Sequence, residues 1–349
     1  IFSPALRMVH GFGISQSYCQ YDYLLSLIAF FWIKLGVSIY NFYILGQVSY
    51  FALLIGIYYF AKRFFINKQF VFYLLMSLAI IKIYGFMHDP IFCFQITPLR
   101  LDWWFIVLIF AYWKGASHWL VGLLIGFLIL FHNAFGLIYA LSYVLFILAL
   151  LIFGVMDKRN KIMDIAFKYY NLYLKNIIII AVCFIVYNFF FQAAAGNVAI
   201  AYQQYGIGFL PILRQSFYWH IPIIFSLIFI LLLKNRATLS EKYFEMSIFL
   251  IILAIGNSMY FFGRSHEHNI INISSSLVLA LFIFFDLAHT ELNRNVVFRV
   301  NKIIIPILAI SFVIGVSYVY SGRAVNRIRK QYYLYKSGQY INQGNLNLD

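Results

Sequence analysis

Long apolar runs separated by short polar punctuation organise this chain from residue 38 to residue 320. Their length and continuity match helices that cross a hydrocarbon core about 30 Å thick, each needing roughly 17–25 apolar residues. Membrane-spanning β-strands would instead alternate apolar and polar positions over about ten residues, and these runs do not. The pattern predicts spans at 38–61, 69–86, 101–114, 116–132, 135–156, 172–191, 218–234, 244–262, 269–290 and 301–320. Lys114-Gly115 joins 101–114 to 116–132, as a tight turn or a kink. The shorter run YLLSLIAFFWIKLG, at 23–36, is expected at the interface or as a re-entrant piece. The predicted fold is all-α: a polytopic transmembrane helical bundle of ten spans over 1–320, followed by a basic, polar, aromatic tail at 321–349. Residues 1–22 read as the middle of a loop, so a preceding segment with at least one further span is expected.

Composition agrees with the pattern. The chain is 64% hydrophobic and 11% charged, with a mean hydropathy of +0.85. A soluble domain of 349 residues exposes too much surface to hide that apolar content. A net charge of +15 in a soluble protein would point to nucleic acid. In a membrane protein, lysines and arginines held in short loops set topology, so no nucleic-acid partner is expected. Cys19, Cys93 and Cys183 are scattered and odd in number, with neither disulfide-framework nor zinc spacing.

Charge then assigns sides. Lys62, Arg63 and Lys68; Lys158, Arg159 and Lys161; Lys234, Arg236 and Lys242; and Arg294, Arg299 and Lys302 fall, with Lys114, on one face of the alternating spans. Positive charge marks that face as cytoplasmic. The opposite face holds 1–37, 87–100, 133–134, 192–217, 263–268 and the tail. It carries Asp22, His88, Asp89, Arg100, His132, Arg214, Arg264, His266, Glu267 and His268, with Asp102 and His220 at span edges. Candidate chemistry is therefore expected on the extracytoplasmic side.

GRSHEHN, at 263–269, is the densest titratable cluster. It is either a polar connector or an anion site at the membrane rim. Asn257, Ser258, Asn269, Asn272 and Ser274 to Ser276 favour the second reading, because polar residues dipping into a membrane cost free energy unless they face a cavity or partner. Arginine offers a planar fork for phosphate, and imidazoles beside it add donors or a proton. Metal binding by His266 and His268 is a weaker alternative. In TPLRLDWW (97–104), Asp102 suits the first turn of a helix dipole, whereas Arg100 is disfavoured there and hints at an anionic partner. MHDP (87–90) supplies His88 and Asp89, in a turn or a site. FHNAFG (131–136) puts His132 and Asn133 at the outer end of a span. Asp22, in QYDYLLS, is an interfacial acid or a substrate-binding one.

The order QYDY, interfacial helix and long span, then an outer PLR (98–100) entering a helix, then FHNAFG, then a late GRSH (263–266), resembles the GT-C membrane glycosyltransferases. That resemblance implies a GT-C-like fold. It also implies transfer of a sugar from a polyprenyl-phosphate carrier to a glycan, lipid or protein acceptor outside the plasma membrane, here a bacterial inner membrane. A catalytic carboxylate is expected in the first outer loop. Asp22 is the candidate or an accessory acid, with the principal acid expected upstream of Ile1; this chain has Tyr23-Leu24-Leu25 where many members carry YPP. Arg264, His266, His268 and Arg100 would bind the lipid phosphate. His88, Asp89, His132, Asn133, Arg214 and Glu267 would line the substrate cavity.

The chemistry stands independently of the family. Transfer needs a base for the acceptor proton and cations beside the departing phosphate. A divalent cation is compatible with it, but no ligand set defines a site. Two other readings share the outer charges: a polysaccharide polymerase or ligase of the O-antigen type, and a lipid-linked-sugar transporter.

Overall fold

The structure, a computed structural model, describes residues 2–13, 23–85, 97–156, 162–204, 216–263, 267–294 and 301–337. Among them all regular structure is helical, as expected where no water is at hand and each segment must satisfy its own backbone. Two short helices lead, α1 (Phe2–Val9) and α2 (Tyr23–Lys34), packed on each other. They are followed by α3 (Ile39–Phe64), α4 (Gln69–Tyr84), the single turn α5 (Pro98–Leu101), α6 (Trp103–Lys114), α7 (Trp119–Phe131) and α8 (Asn133–Met156). Then come α9 (Ile162–Gln204), α10 (His220–Asn235), α11 (Glu241–Gly263), α12 (Glu267–Asn272), α13 (Ser274–Arg294) and α14 (Asn301–Lys336).

Six helices are long and apolar enough to cross a membrane: α3, α8, α9, α11, α13 and α14. These coincide with six of the ten predicted spans. The other four are shorter helices: α4 and α10 have 16 residues, α6 has 12 and α7 has 13. At 1.5 Å per residue, α6 and α7 rise only about 18–20 Å. They form a hairpin whose turn, opened by Gly115 at φ +95°, leaves Trp113, Lys114 and Gly115 exposed while Ala116 is buried. The turn carbonyl of Ala116 accepts from Tyr143 Oη at 2.6 Å and from Asn176 Nδ2 at 3.4 Å. Side-chain donors from α8 and α9 thus hold this carbonyl of the turn.

Burial ranks the helices. The apolar window of α11 is 78% buried and that of α13 67%, so this pair is the centre. The windows of α9 and α14, 17% and 11% buried, form the periphery. Two helices outrun their predicted ends: α9 continues to Gln204, across residues read from the sequence as loop, and α14 continues through the basic tail to Lys336.

Contacts also show which ends lie together. Asp286, late in α13, accepts from the backbone N–H groups of Ile66 (2.9 Å) and Asn67 (2.8 Å) in the α3–α4 turn. Lys234 Nζ reaches Glu291 at 2.7 Å, Arg236 donates to the Phe153 carbonyl, and Lys242 lies 4.1 Å from the Tyr112 ring centre. One end of the bundle thus gathers Lys62, Arg63, Lys68, Lys234, Arg236 and Lys242, as the alternation of charge predicts. Lys158, Arg159, Lys161 and Arg299 lie outside the described residues.

Candidate functional site

At the opposite end the last turn of α4, the one-turn helix α5, the start of α6 and the α12–α13 junction converge on a buried ion pair. Lys82 Nζ stands 3.3 Å from Asp102 Oδ2, with 1% of either side chain exposed. Lys82 also donates to the Asn272 carbonyl at 2.8 Å. Asp102 Oδ1 accepts from Trp104 Nε1 at 3.1 Å and from Ser275 Oγ. Local sequence explains the placement of the acid. Thr97 and Pro98 start α5, and that turn ends after four residues, leaving Asp102 at the N-cap of α6. Its carboxylate makes no capping bond and turns instead to α4 and α13. The dipole role read for Asp102 from the sequence is thus replaced by a tertiary one.

The surrounding shell is polar and short of donors. Asn257 Nδ2 donates to Ser276 Oγ at 3.2 Å, and Asn272 Nδ2 to Asn269 Oδ1 at 3.1 Å. Asn257 Oδ1, Asn272 Oδ1 and Ser274 Oγ are buried without a hydrogen-bond partner. Leaving buried polar atoms unpaired costs about 1–3 kcal/mol each, so water or ligand donors are called for. The second intramembrane acid makes a contrast. Asp286 is fully buried, and its carboxylate receives Ile66, Asn67 backbone, Asn67 Nδ2 (2.8 Å) and Tyr243 Oη (2.9 Å), a complete set that staples the α3–α4 turn. Asp286 is architecture; Asp102 sits in a shell with room for more bonds.

Several expected site residues fall at this same end. Arg100, 7% exposed, lies two residues before Asp102. His132, 1% exposed, closes α7, and its Nδ1 accepts the Phe135 backbone N–H at 3.4 Å, fixing the α7–α8 corner of which Asn133 is the first helical residue. Phe135 stacks on Tyr260 at 5.3 Å, which ties that corner to the end of α11. Glu267 and His268 stand in the first turn of α12. Asp22, His88, Asp89, Arg214, Arg264 and His266 lie outside the described residues. Among the described residues no group of three or more His, Cys, Asp and Glu could hold a metal ion.

The residue that sequence reasoning missed is Lys82. Its signal was present: a lone lysine inside the apolar run LLMSLAIIKIYGF, where an ionisable group marks a site by default. Its partner, 20 positions away on another element, could not be read from spacing.

No protein-family model, curated protein or solved structure matches the chain.

Proposed function

We propose that this chain is an integral-membrane glycosyltransferase that moves a sugar from a polyprenyl-phosphate carrier to a glycan, lipid or protein acceptor on the extracytoplasmic face. The observation that carries the reading is the buried cluster at the end opposite the lysine-rich turns. There Lys82 and Asp102 are surrounded by unpaired acceptors on Asn257, Asn272 and Ser274. Such acceptors suit a ligand rich in hydroxyl donors, as a sugar is. The cluster is built partly from the α12–α13 junction, directly after the GRSH segment.

In the reaction, the acceptor oxygen attacks the anomeric carbon while the bond from that carbon to the carrier phosphate breaks. The acceptor proton passes to a carboxylate, for which Asp22 is the candidate in this chain. Charge grows on the leaving polyprenyl phosphate, and Arg264, with His266, His268 and Arg100, is assigned to meet it. A polysaccharide acceptor would make the same chemistry a polymerase or ligase reaction. The short arms of the α6–α7 hairpin, 12 and 13 residues, suit a second reading, a lipid-linked-sugar transporter, in which discontinuous helices line the path.

The test is transfer from a synthetic polyprenyl-phosphate sugar, with product formation and carrier translocation measured in the same vesicles. Truncating one member of a desolvated charge pair costs about 2–5 kcal/mol, so Arg264→Ala should lower transfer roughly 30-fold to several thousand-fold. Arg264→Lys should recover part, keeping the charge but losing the fork. Translocation without product would establish the transporter instead. Full transfer by well-folded Arg264→Ala would remove the phosphate role from this segment.

A further inference from the structure

The most exposed spanning helix carries a pattern that is independent of the proposed reaction. Only 11% of the apolar window of α14 is buried. The side that meets α4 and α13 holds Ile305, Ala309, Phe312, Val316 and Tyr320. The opposite side repeats every seven residues along the whole helix. Written as heptads, its first position is Ile304, Ser311, Tyr318, Val325 and Tyr332. Its fourth position is Ile307, Ile314, Ser321, Ile328 and Tyr335. All of these are exposed, and all but the two serines are aliphatic or aromatic. Such a repeat, sustained beyond three or four heptads, marks a helix that packs on another helix.

As far as Tyr320 the stripe can face lipid; beyond it, lipid does not reach. Residues 303–320 rise about 27 Å, which uses up a hydrocarbon core about 30 Å thick. The helix continues through residues 321–336, about 24 Å more, of which the headgroup layer takes about 5–8 Å. Arg323 and Arg327 donate to the Gly85 and Ile83 carbonyls, which holds α14 against the end of α4 as it leaves the core. Val325, Ile328, Tyr332 and Tyr335 are nevertheless 46–78% exposed, beside exposed Asn326, Arg329, Lys330 and Lys336. An apolar stripe at that height is one that protein, not lipid, covers.

Topology and charge select the partner. Two copies inserted in one bilayer share an orientation, so a two-fold axis along the membrane normal sets α14 against α14, parallel and in register. In a parallel pair the seventh heptad position of one helix faces the fifth position of the other, five residues on. Ala324 then meets Arg329 of the second copy, and Gln331 meets Lys336, so cations face neutral positions. An antiparallel pair would bring the fifth positions together, Arg329 and Lys336 among them, and the sequence has no acidic residue from 292 to 348 to offset them. The arrangement that the bilayer imposes is thus the one that the charges tolerate.

We propose that this face of α14 is a homodimer interface, covered by the same face of a second copy of the chain. The stretch beyond the hydrocarbon sets its register.

The experiment uses the full chain in its membranes, with Cys19, Cys93 and Cys183 changed to alanine. Single cysteines replace Val325, Ile328 or Tyr332 on the stripe, or Asn326 or Lys330 on the other exposed side of the same turns. A disulfide needs Cα atoms within about 7 Å, so oxidation should link the three stripe variants into dimers at least about tenfold faster than Asn326→Cys or Lys330→Cys. In detergent the particle should have twice the mass of the 40.9 kDa chain. Ile328→Lys with Tyr332→Lys sets like charges across the interface and should weaken association by about 30-fold or more, the scale of an interface hot spot. Helical circular dichroism should not change, because both positions are exposed in the single chain. Equal linking on and off the stripe, or none, overturns the proposal. So does a double lysine variant that associates as tightly as the wild type. Linking that appears only once residues 338–349 are removed would give the face to the chain's own last segment, and overturns it too.

Discussion

Lys82 and Asp102 are each 1% exposed and make their only ion pair with one another among the described residues. Desolvating two such charges costs several kcal/mol apiece, and their attraction offsets this only when the remaining lone pairs and protons are also satisfied. Here Asn272, Trp104 and Ser275 supply those bonds. Asp102→Asn should therefore strand a buried ammonium and destabilise the protein by about 3–5 kcal/mol, read as lost folded yield and a lower melting temperature. Lys82→Met combined with Asp102→Leu removes both charges and should restore folding. Transfer from the lipid-linked sugar should stay lost in the double variant, because the polar shell would no longer enclose a charged site. A double variant that folds and transfers normally would reduce the pair to a staple like Asp286. At this scale the sequence was half legible. Polar residues at 257–276 and Arg100 with Asp102 stood out against apolar flanks, and the fold brings the 272–276 run onto Asp102 and Lys82. Lys82 and Asp286 passed unremarked because one charge in a long apolar run barely lowers its hydropathy, and their partners come from other helices.

The helix scale shows where hydropathy loses resolution. The runs 101–114 and 116–132 are apolar enough to read as spans, yet each is a 12- or 13-residue arm of a hairpin packed against α8, α9 and α11. Hydropathy reports burial, and a helix buried in protein is as apolar as one that faces lipid. The hairpin is held by a close approach that composition hides. In α7, a Cβ on Gly122 would stand 2.7 Å from the Asn176 backbone, and one on Gly126 would stand 2.6 Å from Cys183 Sγ. Glycines four residues apart let α7 and α9 touch backbone to side chain, the packing that substitutes for a hydrophobic drive inside a membrane. Asn176 then reaches Ala116 and Tyr143 across the seam. Gly126→Leu should force the helices apart, break this polar knot and cost about 1–3 kcal/mol. Gly315→Leu, in α14, is the control: a Cβ there meets nothing within 4 Å. Thermal unfolding in detergent compares them, and equal melting temperatures would show that α7 does not rely on the glycine contact.

For the whole molecule the question is which end faces the cytoplasm. Six cations in the turns around α3–α4 and α10–α11 share one end, while the Lys82–Asp102 cluster, His132 and the α12–α13 junction share the other. By the bias of short loops, we expect the first end to be cytoplasmic. The basic continuation of α14 runs towards the second end and opposes that bias. Two of its arginines are held by structure, since Arg323 and Arg327 donate to the Gly85 and Ile83 carbonyls at the C-terminus of α4, where cations favour the helix dipole. We therefore predict that the cluster end faces outward, where carrier-linked sugars would be presented to it. With Cys19, Cys93 and Cys183 changed to alanine, Ser265→Cys should react with an impermeant maleimide added to intact cells. Ala237→Cys, on an exposed turn at the basic end, should react only after permeabilisation. The reverse pattern would invert the molecule, set GRSH against the cytoplasm and rule out transfer on the extracytoplasmic face. Labelling of both positions in intact cells would mean that the six shared cations do not govern orientation and that the basic α14 extension competes with them. Truncation before Arg323 should then restore the asymmetry, with Ser265→Cys alone labelled from outside.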